Sequence, residues 1–311
     1  MKFIDLFAGI GGFRIALEEL GGKCVFSSEW DNKAQETYRE NFKETPAGDI
    51  TKIKESNIPS HDMLCAGFPC QAFSISGNQK GFNDTRGTLF FDIIRIANHH
   101  KSKILFLENV RNLKRHNNGR TLKIILKNLD KIGYNVFYQV LRASDYGVPQ
   151  SRERIYFVCF RKDLMIEDFS FPSPTYERIY LRHILEKDVD EEFFINRKDV
   201  VFFDREEYKG LKPIQIGKIN KGGQGERIYG INGHAITLSA YGGGVAGKTG
   251  AYLINGKIRK LTPRECARVQ GFPEWFNIPV SKSQAYKQFG NSVSVPVIKK
   301  IAEEIIKSIN I

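Results

Sequence analysis

No apolar run in this sequence approaches the roughly 18 residues that a membrane-crossing helix needs. The opening, Met1-Lys2-Phe3-Ile4-Asp5, reaches an acid too early for a secretory signal, so a cytoplasmic location is expected. Cysteine is scarce and odd in number: Cys24, Cys65, Cys70, Cys159 and Cys266, with no C-x-x-C pair. That excludes a disulfide framework as the organising principle and gives no zinc signature, so no metal is expected. Internal repeats and low-complexity tracts are absent. The G-x-G-x-x-G fingerprint of dinucleotide enzymes is missing too, which weakens any oxidoreductase reading.

What is present is ordinary in bulk and unusual in charge. The 311 residues are 41% hydrophobic and 26% charged, enough for a sizeable core in one large and one small domain. The net charge of +12 points to a polyanionic partner, without separating DNA from RNA.

The chain is organised around Gly67-Phe68-Pro69-Cys70-Gln71-Ala72-Phe73-Ser74-Ile75-Ser76-Gly77. Met63 to Ala66 reads as a buried strand, and Gly67 and Pro69 force a turn after it. Cys70 therefore falls on a loop at a strand's carboxyl end, where open α/β sheets place their chemistry. A cysteine so held can act as a nucleophile if its thiolate is favoured. The other four cysteines have apolar or helical neighbours and read as packing residues.

Before that loop, Phe3 to Phe7 reads as a strand, Ala8 to Gly12 as a glycine turn, and Phe13 to Leu20 as a helix. This opening suits a nucleotide-like ligand. Its Gly9-x-Gly11-Gly12 spacing fits a carboxylate-bearing ligand better than a pyrophosphate. Cys24 to Ser28 is a second strand, followed by Glu29, placed for ribose hydroxyls, and Trp30, placed for a purine face. Asp49 is expected at a third strand end, in reach of an exocyclic amine. Three acids on successive strands, Asp5, Glu29 and Asp49, suit an adenosine with a cationic tail.

After the loop, Lys103 to Leu107 is a strand ending at Glu108, which should share the Cys70 crevice and can act as an acid. Arg152 and Arg154 alternate ahead of the strand Ile155 to Phe160. They face one side, as two guanidiniums for a phosphate or carboxylate would. Phe171-Pro172-Ser173-Pro174 marks a domain boundary. Beyond it, two glycine-rich stretches, Lys221 to Arg227 and Tyr241 to Lys248, read as exposed loops of a small β-rich domain. Gln288 to Val293 reads as a turn, and Val295 to Ile309 as a last amphipathic helix.

Taken in order, Asp5-Leu6-Phe7-Ala8-Gly9-Ile10-Gly11-Gly12, Gly67-Phe68-Pro69-Cys70-Gln71, Glu108-Asn109-Val110, Gln150-Ser151-Arg152-Glu153-Arg154, Arg264-Glu265-Cys266-Ala267-Arg268 and Gly290-Asn291-Ser292-Val293 resemble the motifs of the DNA (cytosine-5)-methyltransferases of restriction–modification systems. The likeness continues through Lys221 to Tyr229 and Ile236 to Gly244. It implies an α/β, Rossmann-like, S-adenosylmethionine-dependent large domain (1–180 and 284–311) with a small β-rich target-recognition domain (181–283). Cys70 would be the nucleophile and Glu108 the contact to the cytosine ring, with Arg152 and Arg154 beside the flipped base. Phe7, Gly9, Gly11, Gly12, Glu29, Trp30, Asp49, Ile50, Pro69, Leu89, Asn291 and Val293 would hold the cofactor. Ser74, Ser76, Gln224, Arg227, Thr237, Tyr241, Gly243 and Gly244 would meet double-stranded DNA. The resemblance further implies a monomer, a cognate endonuclease acting on the same site, and the inner cytosine of GCGC as target. A transfer-RNA cytosine-5 methyltransferase of the same fold and a catalytically silent DNA-binding module stand as alternatives.

Overall fold

The computed structural model describes residues 1–68, 89–175, 177–204 and 210–309. Its larger sheet has six strands: β1 (Lys2–Leu6), β2 (Lys23–Ser28), β3 (Met63–Gly67), β4 (Ile104–Val110), β5 (Tyr134–Arg142) and β6 (Glu153–Arg161). Their order is β2-β1-β3-β4-β6-β5. Strands β1 to β4 run parallel, and β6 is antiparallel to both β4 and β5.

Alternate residues explain why these segments are strands. Phe3, Cys65, Phe106 and Val158 face one core cluster. Ile4, Leu64, Leu105, Leu107 and Phe157 face the other. Both faces are covered, as parallel sheets require. Helix α1 (Gly12–Glu18) covers the first face, α2 (Asn32–Phe42) follows β2, and α3 (Leu89–His100) and α4 (Arg120–Lys131) follow β3 and β4. Ile93, Ile94, Ile96 and Ala97 of α3 and Ile125 and Leu129 of α4 pack on the second face.

Five short strands form the second sheet: β7 (Val200–Phe202), β8 (Ile214–Ile219), β9 (Arg227–Gly230), β10 (Ala251–Ile254) and β11 (Lys257–Lys260), in the order β11-β10-β9-β8-β7. Three helices follow, α5 (Pro263–Gln270), α6 (Lys282–Asn291) and α7 (Val295–Ile309). Thr262 caps α5 reciprocally with Glu265, with Pro263 in the first turn. Helix α7 buries Val297, Ile298, Ile301 and Ile305 in the core cluster that holds Phe3 of β1 and Phe13 of α1.

Two expectations are corrected. Asp49 does not end a strand: it caps a 3₁₀ turn, Ile50–Lys52, by accepting the Thr51 amide. Gln288 to Asn291 is not a turn but the last part of α6. Gly290 sits inside that helix because the main chain at Ala240 leaves no room for a side chain there. No helix among the described residues is long and apolar enough to cross a membrane.

Candidate active site

Strand order turns back between β1 and β3, and a crevice opens there at the strands' carboxyl ends. A cavity of about 480 Å³ fills it. Phe7 and Gly9 follow β1, Glu29 and Trp30 follow β2, Gly67 and Phe68 close β3, and Glu108 and Val110 close β4. Lys287, Gln288, Gly290, Asn291 and Ser292 of the returning chain complete the wall, with Leu89 and Ile50 also lining it. Phe7 holds a left-handed backbone (φ 57), which turns the chain sharply off β1.

Glu29 is fixed by main chain: its carboxylate accepts the amides of Gly9 (2.9 Å) and Asp31 (2.8 Å). Burial raises its pKa, and those amides oppose the rise. Two amides leave lone pairs free for hydroxyl donors. Trp30 is 66% exposed and lines the cavity. Asp31 caps α2 through the amides of Lys33 and Ala34 and pairs with Lys287 at 2.5 Å. Asp49 lines the same cavity; burial tends to raise its pKa, but the Thr51 hydroxyl and amide outweigh that and hold it low. Two carboxylates, an exposed indole and the apolar side chains of Phe7, Ile50 and Leu89 fit an adenosine joined to a cationic tail. The expected glycine contacts divide. Gly9 reaches the cavity, whereas Gly11, Gly12 and Val293 are buried behind its wall, with Gly12 packed on Val293.

Glu108 is reached from two strands. Because β6 runs antiparallel to β4, its amino end meets the carboxyl end of β4, with Arg154 opposite Val110. The Arg154 Nε lies 3.1 Å from the Glu108 Oε1. Oε2 points toward Gly67. Burial raises the Glu108 pKa, against the opposing charges of Arg154 and then Arg152. Arg152 is fully buried; burial, and then Arg154, bring its pKa down to about 9. It donates to the carbonyls of Gly290 (3.3 Å) and Ser292 (2.6 Å), and its Nε has no partner among the described residues. Phe68 binds the β4 end twice: its amide donates to the Glu108 carbonyl (3.3 Å), and its carbonyl accepts from the Asn109 side chain (2.8 Å).

Pro69, Cys70, Ser74 and Ser76 lie outside the described residues. The remaining cysteines, Cys24, Cys65, Cys159 and Cys266, are all buried. Burial raises each thiol's pKa, that of Cys24 to about 12, so none is a ready thiolate.

The two glycine-rich stretches lock together. Ala246 donates its amide to the Gly225 carbonyl at 3.0 Å. A side chain at Gly225 would sit 2.2 Å from the Gly243 carbonyl, and one at Gly242 would sit 1.7 Å from the Gly247 carbonyl. Glycine is required there by close approach of backbones, so these are not free linkers. The pair presents Gln224, Arg227, Gly243 and Gly244 to solvent. Thr237 instead turns inward, donating its hydroxyl to the Ser151 carbonyl at 2.6 Å. Leu238 donates to the Gln150 side chain beside it (3.1 Å), so this segment is stitched to the chain entering β6. Tyr241 is 79% exposed and lines the cavity with Lys287. Sequence reasoning missed Lys287, Gln288 and Asp31 as wall residues. An Asp-Asn step ahead of a helical run was the available signal for Asp31.

The family model for C-5 cytosine-specific DNA methylases matches residues 1–307. The chain is 55% identical over 312 residues to the type II methyltransferase M.HhaI of Haemophilus parahaemolyticus, covering 100% of this chain and 95% of that protein. It is 46% identical over 326 residues to the type II methyltransferase M.HpaII of Haemophilus parainfluenzae, covering 99% and 89%. Among solved structures, the S. pombe Dnmt2 methyltransferase superposes with a TM-score of 0.76 at 21% identity over 100% of both chains, a likeness of fold. A putative DNA modification methyltransferase encoded in an E. coli prophage gives 0.75 at 21% identity, again over 100% of both chains.

Proposed function

The chain belongs to the C-5 cytosine-specific DNA methylase family and is a DNA cytosine-5 methyltransferase, and we propose that it methylates the inner cytosine of GCGC through a covalent bond from Cys70 to the base. Type II relatives of this kind act on double-stranded DNA, and the family uses S-adenosylmethionine as methyl donor. The cavity's acids and aromatic wall fit that donor, with Glu29, Trp30 and Asp49 as its holders.

Cytosine C5 is too weak a nucleophile to take a methyl group unaided. Addition of the Cys70 thiolate at C6 pushes electrons toward C5 and N3. Bound S-adenosylmethionine supplies the electrophilic methyl. Glu108 holds a proton at N3 and stabilises the charge that builds there. The C5 proton then leaves to a base, the C5–C6 double bond re-forms, and the thiolate departs. A stacked base cannot reach such a site, so the cytosine is flipped out, at a cost of about a few kcal/mol. In this reading Gln224 fills the gap left in the duplex, Arg152 and Arg154 flank the flipped base, and Ser74 and Ser76 meet the strand. Residues 1–180 and 284–311 form the catalytic domain and 181–283 the target-recognition domain. The enzyme works as a monomer, and a separate endonuclease cuts the same site.

The observation that carries the reading is the Glu108 carboxylate, half-used among the described residues. One oxygen is on Arg154, and the other faces the strand end that runs on through Phe68 to Cys70. The test is transfer from tritiated S-adenosylmethionine to duplexes with single-base changes around GCGC, beside a transfer-RNA control. Methylation of the inner cytosine of GCGC alone is expected. Transfer to another duplex site would keep the chemistry and remove the GCGC assignment. Transfer to RNA alone would overturn the DNA substrate.

A further inference from the structure

Between Glu108 and Asp130 the chain carries no acid but six Lys and Arg: Arg111, Lys114, Arg115, Arg120, Lys123 and Lys127. All six are exposed. Arg111 is paired with Glu153. Lys114, Arg115, Arg120, Lys123 and Lys127 form no ion pair among the described residues. Elsewhere on the surface, cations are commonly neutralised, as in Lys162–Asp130, Arg161–Asp163, Arg197–Asp199 and Lys299–Glu19. Repulsion among unpaired like charges lowers stability unless a partner offsets it.

The stretch is held rigidly. Leu113 is fully buried beneath it. His116 binds the Thr121 hydroxyl at 2.7 Å. Asn117, Asn118 and Gly119 all adopt left-handed backbone (φ 51, 55 and 78) and fold the loop back onto the start of α4. It begins right after Val110, which lines the cavity with Glu108. A polyanion whose base enters that cavity passes this rim.

We infer that Lys114, Arg115 and Arg120 form a backbone-binding rim that grips the phosphates of duplex DNA flanking the target on the β4 side. This rests on the proposed action on duplex DNA and adds a contact that carries no sequence information. Lysine and arginine side chains without ion pairs among the described residues, flanked by the exposed amides of Asn112 and Asn118, suit phosphates, which accept from all of these groups without regard to sequence.

The test compares wild type with the triple variant Lys114→Gln, Arg115→Gln, Arg120→Gln by titrating duplex binding against salt. Each lost phosphate contact lowers the slope of log affinity against log salt by about 0.9, so a decrease of about 2 to 3 is expected. Affinity should fall about equally for target and non-target duplexes, and the difference should vanish when one flank is trimmed away. The charge-preserving variant Lys114→Arg, Arg115→Lys, Arg120→Lys should keep the wild-type slope, which separates charge from folding. Equal slopes for wild type and the triple Gln variant overturn the inference, provided wild type methylates the same duplex. A loss seen with transfer RNA but not with duplex DNA also overturns it. Wild type that methylates no duplex at all overturns the parent reading and this inference with it.

Discussion

Two Arg–Glu pairs, one wholly buried and one half-buried at the cavity, hold this molecule's motifs, and they are built to opposite standards. Arg259 grips Glu265 with two bonds of 2.7 and 2.6 Å. The Glu265 carboxylate also accepts the amides of Thr262 (2.9 Å) and Glu186 (2.8 Å). Nothing is left for a ligand, and the side chains are 2% and 0% exposed. Arg154 touches Glu108 through one nitrogen at 3.1 Å, Arg152 lies close by with an Nε that has no partner among the described residues, and the Glu108 pKa stays raised. A saturated pair fixes architecture: it ties β11 and the chain before α5 to the helix itself. An unsaturated pair at a cavity is poised for a substrate that completes it.

The comparison can be broken in several ways, and the largest effect belongs to a residue that neither pair includes. Cys70→Ala should lower methyl transfer at least about 10⁴-fold while leaving duplex binding in place. Substantial turnover would remove Cys70 from the chemistry. Glu265→Ala should act on the fold instead. It strands a buried guanidinium, at a cost of about 3–5 kcal/mol, read as a shift in the denaturant midpoint. Glu108→Gln should do the reverse, lowering kcat about 10²–10⁴-fold. Its effect on stability has a definite sign. A carboxyl whose pKa is raised by folding holds its proton more tightly in the native state, so the native state loses stability as pH rises through that raised value. The Gln variant, neutral throughout, should gain on wild type over the same rise in denaturant titrations. A gain on lowering the pH instead would contradict the assignment. Gly225→Ala should cost about 1–3 kcal/mol by forcing the two glycine-rich loops apart, and, if these loops read the duplex as proposed, should relax discrimination among duplexes. Least of all, Trp30→Ala should weaken cofactor binding about tenfold, measured by calorimetry without DNA.

The large sheet was legible because its strands alternate over two buried faces and its helices repeat at 3.6 residues. Phe3 to Phe7, Met63 to Ala66 and Lys103 to Leu107 all lie on or within a residue or two of strands β1, β3 and β4. The placement of Glu29 and Glu108 at strand ends followed from the same alternation. Long-range approach was not legible. The hold of Arg152 on Gly290 and Ser292 spans nearly 140 positions in sequence. Gly290 looked like a turn because local rules see only missing side-chain volume, whereas Ala240 presses on it from another part of the fold. The second sheet was mostly unreadable for another reason. Its strands are only three to six residues long and pair with their neighbours in sequence, too short for alternation to show, and composition showed glycine loops without showing that they interlock. Asp5 also reads differently in place. It is fully buried, neither carboxylate oxygen is bonded among the described residues, burial raises its pKa well above the usual range, and it does not line the cavity, so it does not meet a ligand there with Glu29 and Asp49.

The central claim is that the unsaturated Glu108 site works on a cytosine held covalently by Cys70. The most direct measurement is intact-protein mass after incubation with S-adenosylmethionine and a duplex whose target cytosine carries fluorine at C5. Fluorine cannot leave as a proton does, so the bonded state accumulates. The account predicts a species heavier by the oligonucleotide and one methyl group with wild type, and none with Cys70→Ala. A duplex methylated at its ordinary cytosine with no such species from the fluorinated one, or the same species from the Cys70→Ala variant, would contradict it.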